Sequence, residues 1–167
     1  AGTVRAGLHD IYELVARGSV KMAAALGDTT LVADVRAFSE AHPEMVRASG
    51  YAAEDAVAIL TNAGHYGKSV TGAADRTRPV KKRVNDIRTF RNARSVYAID
   101  TLLGIAGDAS DDGYVRTVAC ETLGWYRESV CRGRIISELS DILGGEAGIP
   151  ENVAKEIKKT IKRLKWE

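Results

Sequence analysis

The chain has little of what metal centres, disulfide frameworks and many active sites are built from. Its 167 residues include two cysteines, three histidines and three prolines, and aromatic residues make up 6%. Cys120 and Cys131 stand eleven apart with no C-x-x-C spacing and no clustered histidine, so neither a disulfide framework nor a zinc site is implied. Both are expected to pack reduced within helices, as free cysteines usually do. No apolar run approaches the roughly 18–20 residues a membrane span needs, which excludes a helical membrane anchor from the expectation. The opening AGTVRAGLHD lacks a basic stretch followed by an apolar one, so a cytoplasmic chain is expected. What the sequence does have is 45% apolar and 28% charged residues, enough for one globular domain with a core over residues 1–167.

Helical periodicity dominates. Val4, Leu8, Ile11, Val15, Met22 and Leu26 fall within about 60° of one another at about 100° per residue, which predicts one helix over 3–26 ending at Gly27. Asp28 or Thr29 caps a shorter helix with Leu31, Val35 and Phe38. Pro43 opens a third, with Val46, Ala53, Ala56 and Leu60 on one side, and the two make a hairpin. Residues 64–78, GHYGKSVTGAADRTR, hold three glycines and no periodic apolar set, so a flexible loop is expected there. Pro79 starts a helix with Val80, Val84 and Ile87. The apolar direction then rotates by roughly 80° toward Ile99, Leu102 and Ala106, predicting a break near Asn92 and an end at Gly107. Asp111 or Asp112 caps the next helix, with Val115, Val118, Ala119, Thr122, Leu123 and Tyr126. Another carries Cys131, Ile135, Leu139, Ile142 and Leu143 to Gly144-Gly145, and Pro150 opens the last, with Val153, Ile157, Ile161 and Leu164. The short runs AVAIL and TLVADV are discounted as strands, because two isolated strands make no stable sheet. The expected fold is all-α, with seven or eight helices in antiparallel hairpins.

The helix starts Pro43, Pro79, Asp112 and Pro150 lie 36, 33 and 38 residues apart. PEMVRASGYAAEDAVAIL and DGYVRTVACETLG align with Val46 on Val115 and Arg47 on Arg116. This pattern resembles HEAT-type repeats, in which a second helix opens with Asp or Pro followed by Val-Arg. GIPENVAKEIKKTIKRL is similar to helix openings of a small archaeal HEAT-like family, with Ala154 in the place of the arginine. The resemblance covers roughly residues 28–64 and 94–165 and implies a stacked helical scaffold. An irregular helical bundle is the alternative.

Candidate sites are few. NAGHYGKS at 62–69 nearly matches the phosphate-loop pattern G-x-x-x-x-G-K-[ST], but Asn62 replaces the first glycine, and a helical pattern rather than a strand precedes it. A helix end capped by Gly64 is the plainer reading. His9 and Glu13, a turn apart, make two ligands and not a metal site. RAFSEAH, Arg36 to His42, superficially resembles the R-x(4–6)-H signature of the helical HEPN ribonucleases, which implies metal-independent RNA cleavage as a distant alternative. No catalytic residue, cofactor or metal is assigned.

The charge distribution says more than the net charge of +2. Residues 76–94 hold eight Lys and Arg against Asp86 alone, and residues 150–167 hold six against three acids. Lys81, Lys82 and Arg88 turn away from the apolar stripe, while Arg83 and Arg91 flank it. Lys68, Arg76, Arg78, Lys81, Lys82, Arg88 and Arg91 are therefore the candidate macromolecule-binding residues. The opposing reading pairs these arginines with Asp108, Asp111, Asp112, Glu121 and Glu128. Of the aromatics, Phe90 and Tyr97 are expected to pack, leaving Tyr66 as a stacking platform, while Trp125 and Trp166 fall off their helix stripes. The function expected is a non-enzymatic interaction or scaffold module with a protein partner. A nucleic-acid-associated factor using the basic face at 76–94 is the alternative. The sequence leaves the oligomeric state open.

Overall fold

The structure, a computed structural model, describes residues 1–43, 53–145 and 148–166. Among them are ten α-helices and no strand. These are α1 (Gly2–Leu8), α2 (Glu13–Leu26), α3 (Val32–Ala41), α4 (Ala53–Thr61), α5 (His65–Ala74), α6 (Val80–Ala93), α7 (Ile99–Gly107), α8 (Gly113–Leu123), α9 (Arg132–Gly145) and α10 (Glu151–Lys165), with short 3-10 turns before α3 and α7. The all-α expectation holds, and the excess over seven or eight helices has two sources. The expected positions of Val46 and Arg47 lie outside the described residues.

The first source is the N-terminal segment, which is two helices and not one. Asp10 accepts the Tyr12 amide at 2.8 Å, turning the chain between α1 and α2. Gly7 then lies against Ser19, where a Cβ on Gly7 would fall 2.1 Å from the Ser19 hydroxyl. The folded-back pair buries Val4, Leu8, Ala16, Val20, Ala23 and Ala24 and leaves Ile11, Val15 and Met22 exposed. Val4 and Leu8 of the expected stripe are buried, but on α2 the close approach to α1 buries Ala16, Val20, Ala23 and Ala24 in place of Val15 and Met22.

The second source is 65–74, expected as a loop and found as α5. Asn62 takes the left-handed turn that ends α4 (φ 56°), and Gly64 precedes α5 instead of ending α4. Tyr66, Ser69, Gly72 and Ala73 form the buried face of α5. A Cβ on Gly72 would meet the Arg78 guanidinium at 1.7 Å, so the glycine makes room for the Arg78–Asp86 ion pair.

From α5 onward the chain forms two layers. Antiparallel pairs α5/α6, α7/α8 and α9/α10 stack side by side, with α5, α7 and α9 in one layer and α6, α8 and α10 in the other. The second layer is parallel, since its cross-links advance together: Arg88 to Tyr114, Arg91 to Glu121 and Arg94 to Glu128, then Asn152 to Thr117, Thr160 to Cys120 and Arg163 to Glu121. Local chemistry sets the boundaries. Asp112 caps α8 by accepting the Tyr114 and Val115 amides, Arg94 breaks the chain after α6 in a left-handed conformation (φ 48°), and Pro79 and Pro150 precede α6 and α10. The apolar residues expected on α8 are buried, as are Ile135 and Leu139 of α9 and Val153, Ile157 and Leu164 of α10.

The N-terminal helices join this stack at the end of α2. The Val130 amide donates to the Leu26 carbonyl at 2.9 Å, and the Ser95 hydroxyl donates to the Ile59 carbonyl at 3.1 Å. One buried apolar cluster runs from Val4 to Leu164. Gly27 ends α2 with φ 68°, and a Cβ there would lie 2.2 Å from Val96 Cγ1. Gly27→Ala is therefore expected to destabilise by more than about 1 kcal/mol, since it meets both the left-handed backbone and Val96. Thermal unfolding of the variant checks this, with Gly18→Ala, which meets open space, as the control.

Candidate macromolecule-binding face

The arginines and lysines of the basic segments part company in space. Arg76 bonds Asp108 at 3.0 Å together with Ser110, Arg78 pairs with Asp86, and Arg91 pairs with Glu121. Arg94 reaches Glu128 at 3.0 Å, and Arg88 donates to the Tyr114 hydroxyl at 3.0 Å. Arg83 is only 3% exposed. Its Nη atoms make two 2.7 Å bonds to the carboxylate of Asp111, itself 4% exposed, and its Nε donates to the Ala73 carbonyl at 2.9 Å. The planar five-donor guanidinium suits such clasps, whereas an ammonium on a flexible stem favours water. Lys68, Lys81, Lys82, Lys155, Lys158, Lys162 and Lys165 are all exposed, and among the described residues none has a salt-bridge partner.

Carboxylate acidity follows the same division. The Arg83 guanidinium holds the Asp111 carboxyl below its ordinary range, while hydrogen bonds from Thr77 and Ser110 do the same for Asp75 and Asp108. Of the seven candidate residues, Arg76, Arg78 and Arg91 are thus engaged within the chain and Arg88 holds a tyrosine. Lys68 lies on α5, in the other layer from Lys81 and Lys82, beside a shallow groove with Gly64, Gly67, Thr71 and Asp75.

The exposed surface of the α6–α8–α10 layer is organised in rows. Lys81, Asn85, Arg88 and Asn92 follow one another at i, i+4, i+7 and i+11 along α6. Tyr114, Thr117 and Glu121 run along α8 with Trp125 in the turn that follows it, and Lys155, Lys159 and Lys162 run along α10 with Trp166 just past its end. At 1.5 Å per residue and 8–10 Å between packed helices, this makes a face of about 16 by 20 Å. Its middle row carries no free charge, because Glu121 accepts from both Arg91 and the Trp125 indole N–H. The flanking rows are basic, with Lys159 lying 3.6 Å from Glu156.

Three exposed aromatics are held in place on this face. Tyr114 is 52% exposed and fixed by Arg88. Trp125 is 44% exposed, with its N–H on Glu121 and the Arg163 guanidinium 5.5 Å from its ring, and Trp166 is 57% exposed under Arg127 at 3.6 Å. Tyr66, expected as the stacking platform, is buried. Tyr97, expected to pack, is 46% exposed. Tyr114 was missed because its position relative to Arg88 depends on how α6 stacks on α8; its place roughly 110° off the centre of the apolar stripe of α8 was the signal available.

The other motifs gather no site. Gly67, Lys68 and Ser69 do lie in the first turns of a helix, but a helix precedes them and Ser69 is buried. Arg36 borders a groove with Ser39, Glu40, Val57 and Ala58, whereas His42 borders another with Leu8, His9 and Phe38. Glu13 pairs with Arg17 at 2.9 Å. Cys120 is buried, which pushes its thiol up to about 12, and Cys131 is half-buried. Among the described residues, no three His, Cys, Asp or Glu side chains could hold a metal ion, and no helix is long and apolar enough to cross a membrane. No protein-family model, curated protein or solved structure matches the chain.

Proposed function

We propose that the chain is a HEAT-like, non-enzymatic interaction module that holds another macromolecule on the α6–α8–α10 face. Support for the repeat comes from bonds that recur 33 residues apart. Arg83 Nε donates to the carbonyl ten residues before it, Ala73, and Arg116 Nε does the same to Ala106 at 3.0 Å. Asp75 accepts the amide and hydroxyl of Thr77, and Asp108 accepts those of Ser110. A repeated hairpin of this kind buries its apolar faces against its neighbours and leaves one side of each helix layer to solvent.

The observation that carries the functional reading is the separation of basic side chains. Arginines clasp acids within the stack, while Lys81 and Lys82 on α6 and Lys155, Lys158, Lys162 and Lys165 on α10 are exposed without a salt-bridge partner among the described residues, leaving Lys159 beside Glu156 as the exception. A face that is basic, aromatic and rigid suits partner contact. A photo-crosslinking residue at Asn85 is expected to capture a defined partner in lysate of the source organism, and one at Ser137 on α9 is expected to capture far less. Equal capture from both layers would contradict the assignment of the face.

A further inference from the structure

We infer, building on the proposed binding face, that its partner is a single-stranded nucleic acid. Tyr114 at the start of α8 and Trp125 in the turn just past its end stack bases, while Lys81 and Arg88 on one side and Lys155, Lys159 and Lys162 on the other hold phosphates.

Three observations favour this partner over an acidic protein surface. First, the aromatic rings are exposed and already oriented by bonds to their own neighbours, Tyr114 by Arg88 and Trp125 by Glu121 and Arg163. Stacking on them therefore orders no further side chain, and a ring accepts any base because every base has a π-face. Second, Tyr114 lies in the first turn of α8 and Trp125 in the turn just past its last residue, Leu123, with nine residues of helix rise, about 13 Å, between Tyr114 and that end, so bases stacked on both belong to an extended strand and not to adjacent steps of a duplex. Third, cations border the aromatic row on both sides, and the acid within that row is already occupied by Arg91. A strand following α8 is thus flanked by charge along its length, as in the basic grooves with aromatic platforms that bind single strands without reading sequence. The bases of a duplex are paired and stacked inside, out of reach of Tyr114 and Trp125.

The test is fluorescence anisotropy of the full chain with labelled mixed-sequence 12-mers, as single-stranded RNA, single-stranded DNA and duplex DNA, at 50 and 200 mM salt. Single strands are expected to bind in preference to the duplex. With four to five phosphates neutralised, their affinity falls about 50- to 130-fold across that salt range. Lys155→Ala/Lys159→Ala/Lys162→Ala is expected to weaken binding at least tenfold and to reduce the salt dependence. Tyr114→Ala and Trp125→Ala each lower affinity about fivefold or more at unchanged salt dependence, while Trp125→Phe, which keeps a ring, retains most of it. Circular dichroism and melting temperature verify that each variant is folded. No single-strand binding at 50 mM salt, equal affinity for duplex, or binding indifferent to loss of both rings overturns the inference. Nuclease-resistant capture of a protein at Asn85 in the crosslinking experiment also overturns it while leaving the interaction module intact. The module itself fails only when the face captures nothing beyond the α9 control.

Discussion

Arg83→Met is expected to cost about 3–5 kcal/mol of folding stability, far more than loss of any of the exposed pairs around it. The methionine keeps much of the stem but removes three bonds: two to Asp111 and one to the Ala73 carbonyl. Asp111, 4% exposed, would then be a buried carboxylate without its cation, which is the expensive outcome of breaking a buried pair. Arg91–Glu121 and Arg94–Glu128 are about a third exposed and should each contribute no more than about 1 kcal/mol. Adding Asp111→Leu to Arg83→Met is expected to recover most of the loss, leaving the unmatched Ala73 carbonyl at about 1 kcal/mol.

This defect has a pH signature. In the native chain Asp111 is held below its unfolded value of about 3.9, so its contribution is present above that pH and is lost as pH falls through the lower folded value. In Arg83→Met the buried, unpaired Asp111 takes up a proton more readily folded than unfolded. The stability gap between the two proteins should therefore narrow as pH falls from 7 toward 3. Chemical denaturation across that range measures it, and a gap independent of pH would mean that Asp111 does not carry the effect.

The second large effect is expected at Tyr126. The side chain is fully buried, and its hydroxyl donates to the Ser95 carbonyl at 3.0 Å while the Ser95 hydroxyl donates to the Ile59 carbonyl. These bonds tie the segment after α8 to the turn after α6, and that turn to α4. Tyr126→Ala removes an aromatic body from the core and leaves the Ser95 carbonyl without this donor, for a loss of about 3–5 kcal/mol. Tyr126→Phe keeps the packing and should cost only about 1 kcal/mol. Urea denaturation separates the two; equal losses would place the whole effect in the hydrogen bond.

How much of this was legible in the sequence depended on whether the deciding contact was local. The Asp112 cap and the apolar residues of α8 were readable because a cap and a 3.6-residue stripe operate within one helix. The break after α6 was readable from the rotation of the stripe, and it falls at Arg94, two residues beyond Asn92. The turn at Asp10 was hidden because Ile11 and Val15 satisfied helical spacing equally well, and only the approach of Gly7 to Ser19 decides against one long helix. α5 was hidden because its buried face is Tyr66, Ser69, Gly72 and Ala73, which reads as a loop until Arg83, ten residues beyond Ala73, supplies a donor for that residue's carbonyl. The site followed the same rule. The excess of cations at 76–94 was plain, but apart from Arg78, which pairs with Asp86 eight residues on, which of them are occupied by acids depends on side chains 28 to 34 residues away, and no spacing rule connects Arg83 with Asp111 or Arg94 with Glu128.

The central claim is that side chains far apart in sequence share one face because α6, α8 and α10 lie parallel in a single layer. Spin labels at Lys81 and Lys155 in a Cys131→Ser background, with the buried thiol of Cys120 left unreactive, measure this by pulsed electron resonance. Two helix spacings put the labelled positions about 20 Å apart, so one narrow distribution near 20–25 Å is expected. A distribution centred beyond about 35 Å, or one without a defined maximum, would contradict the layer and the face built on it.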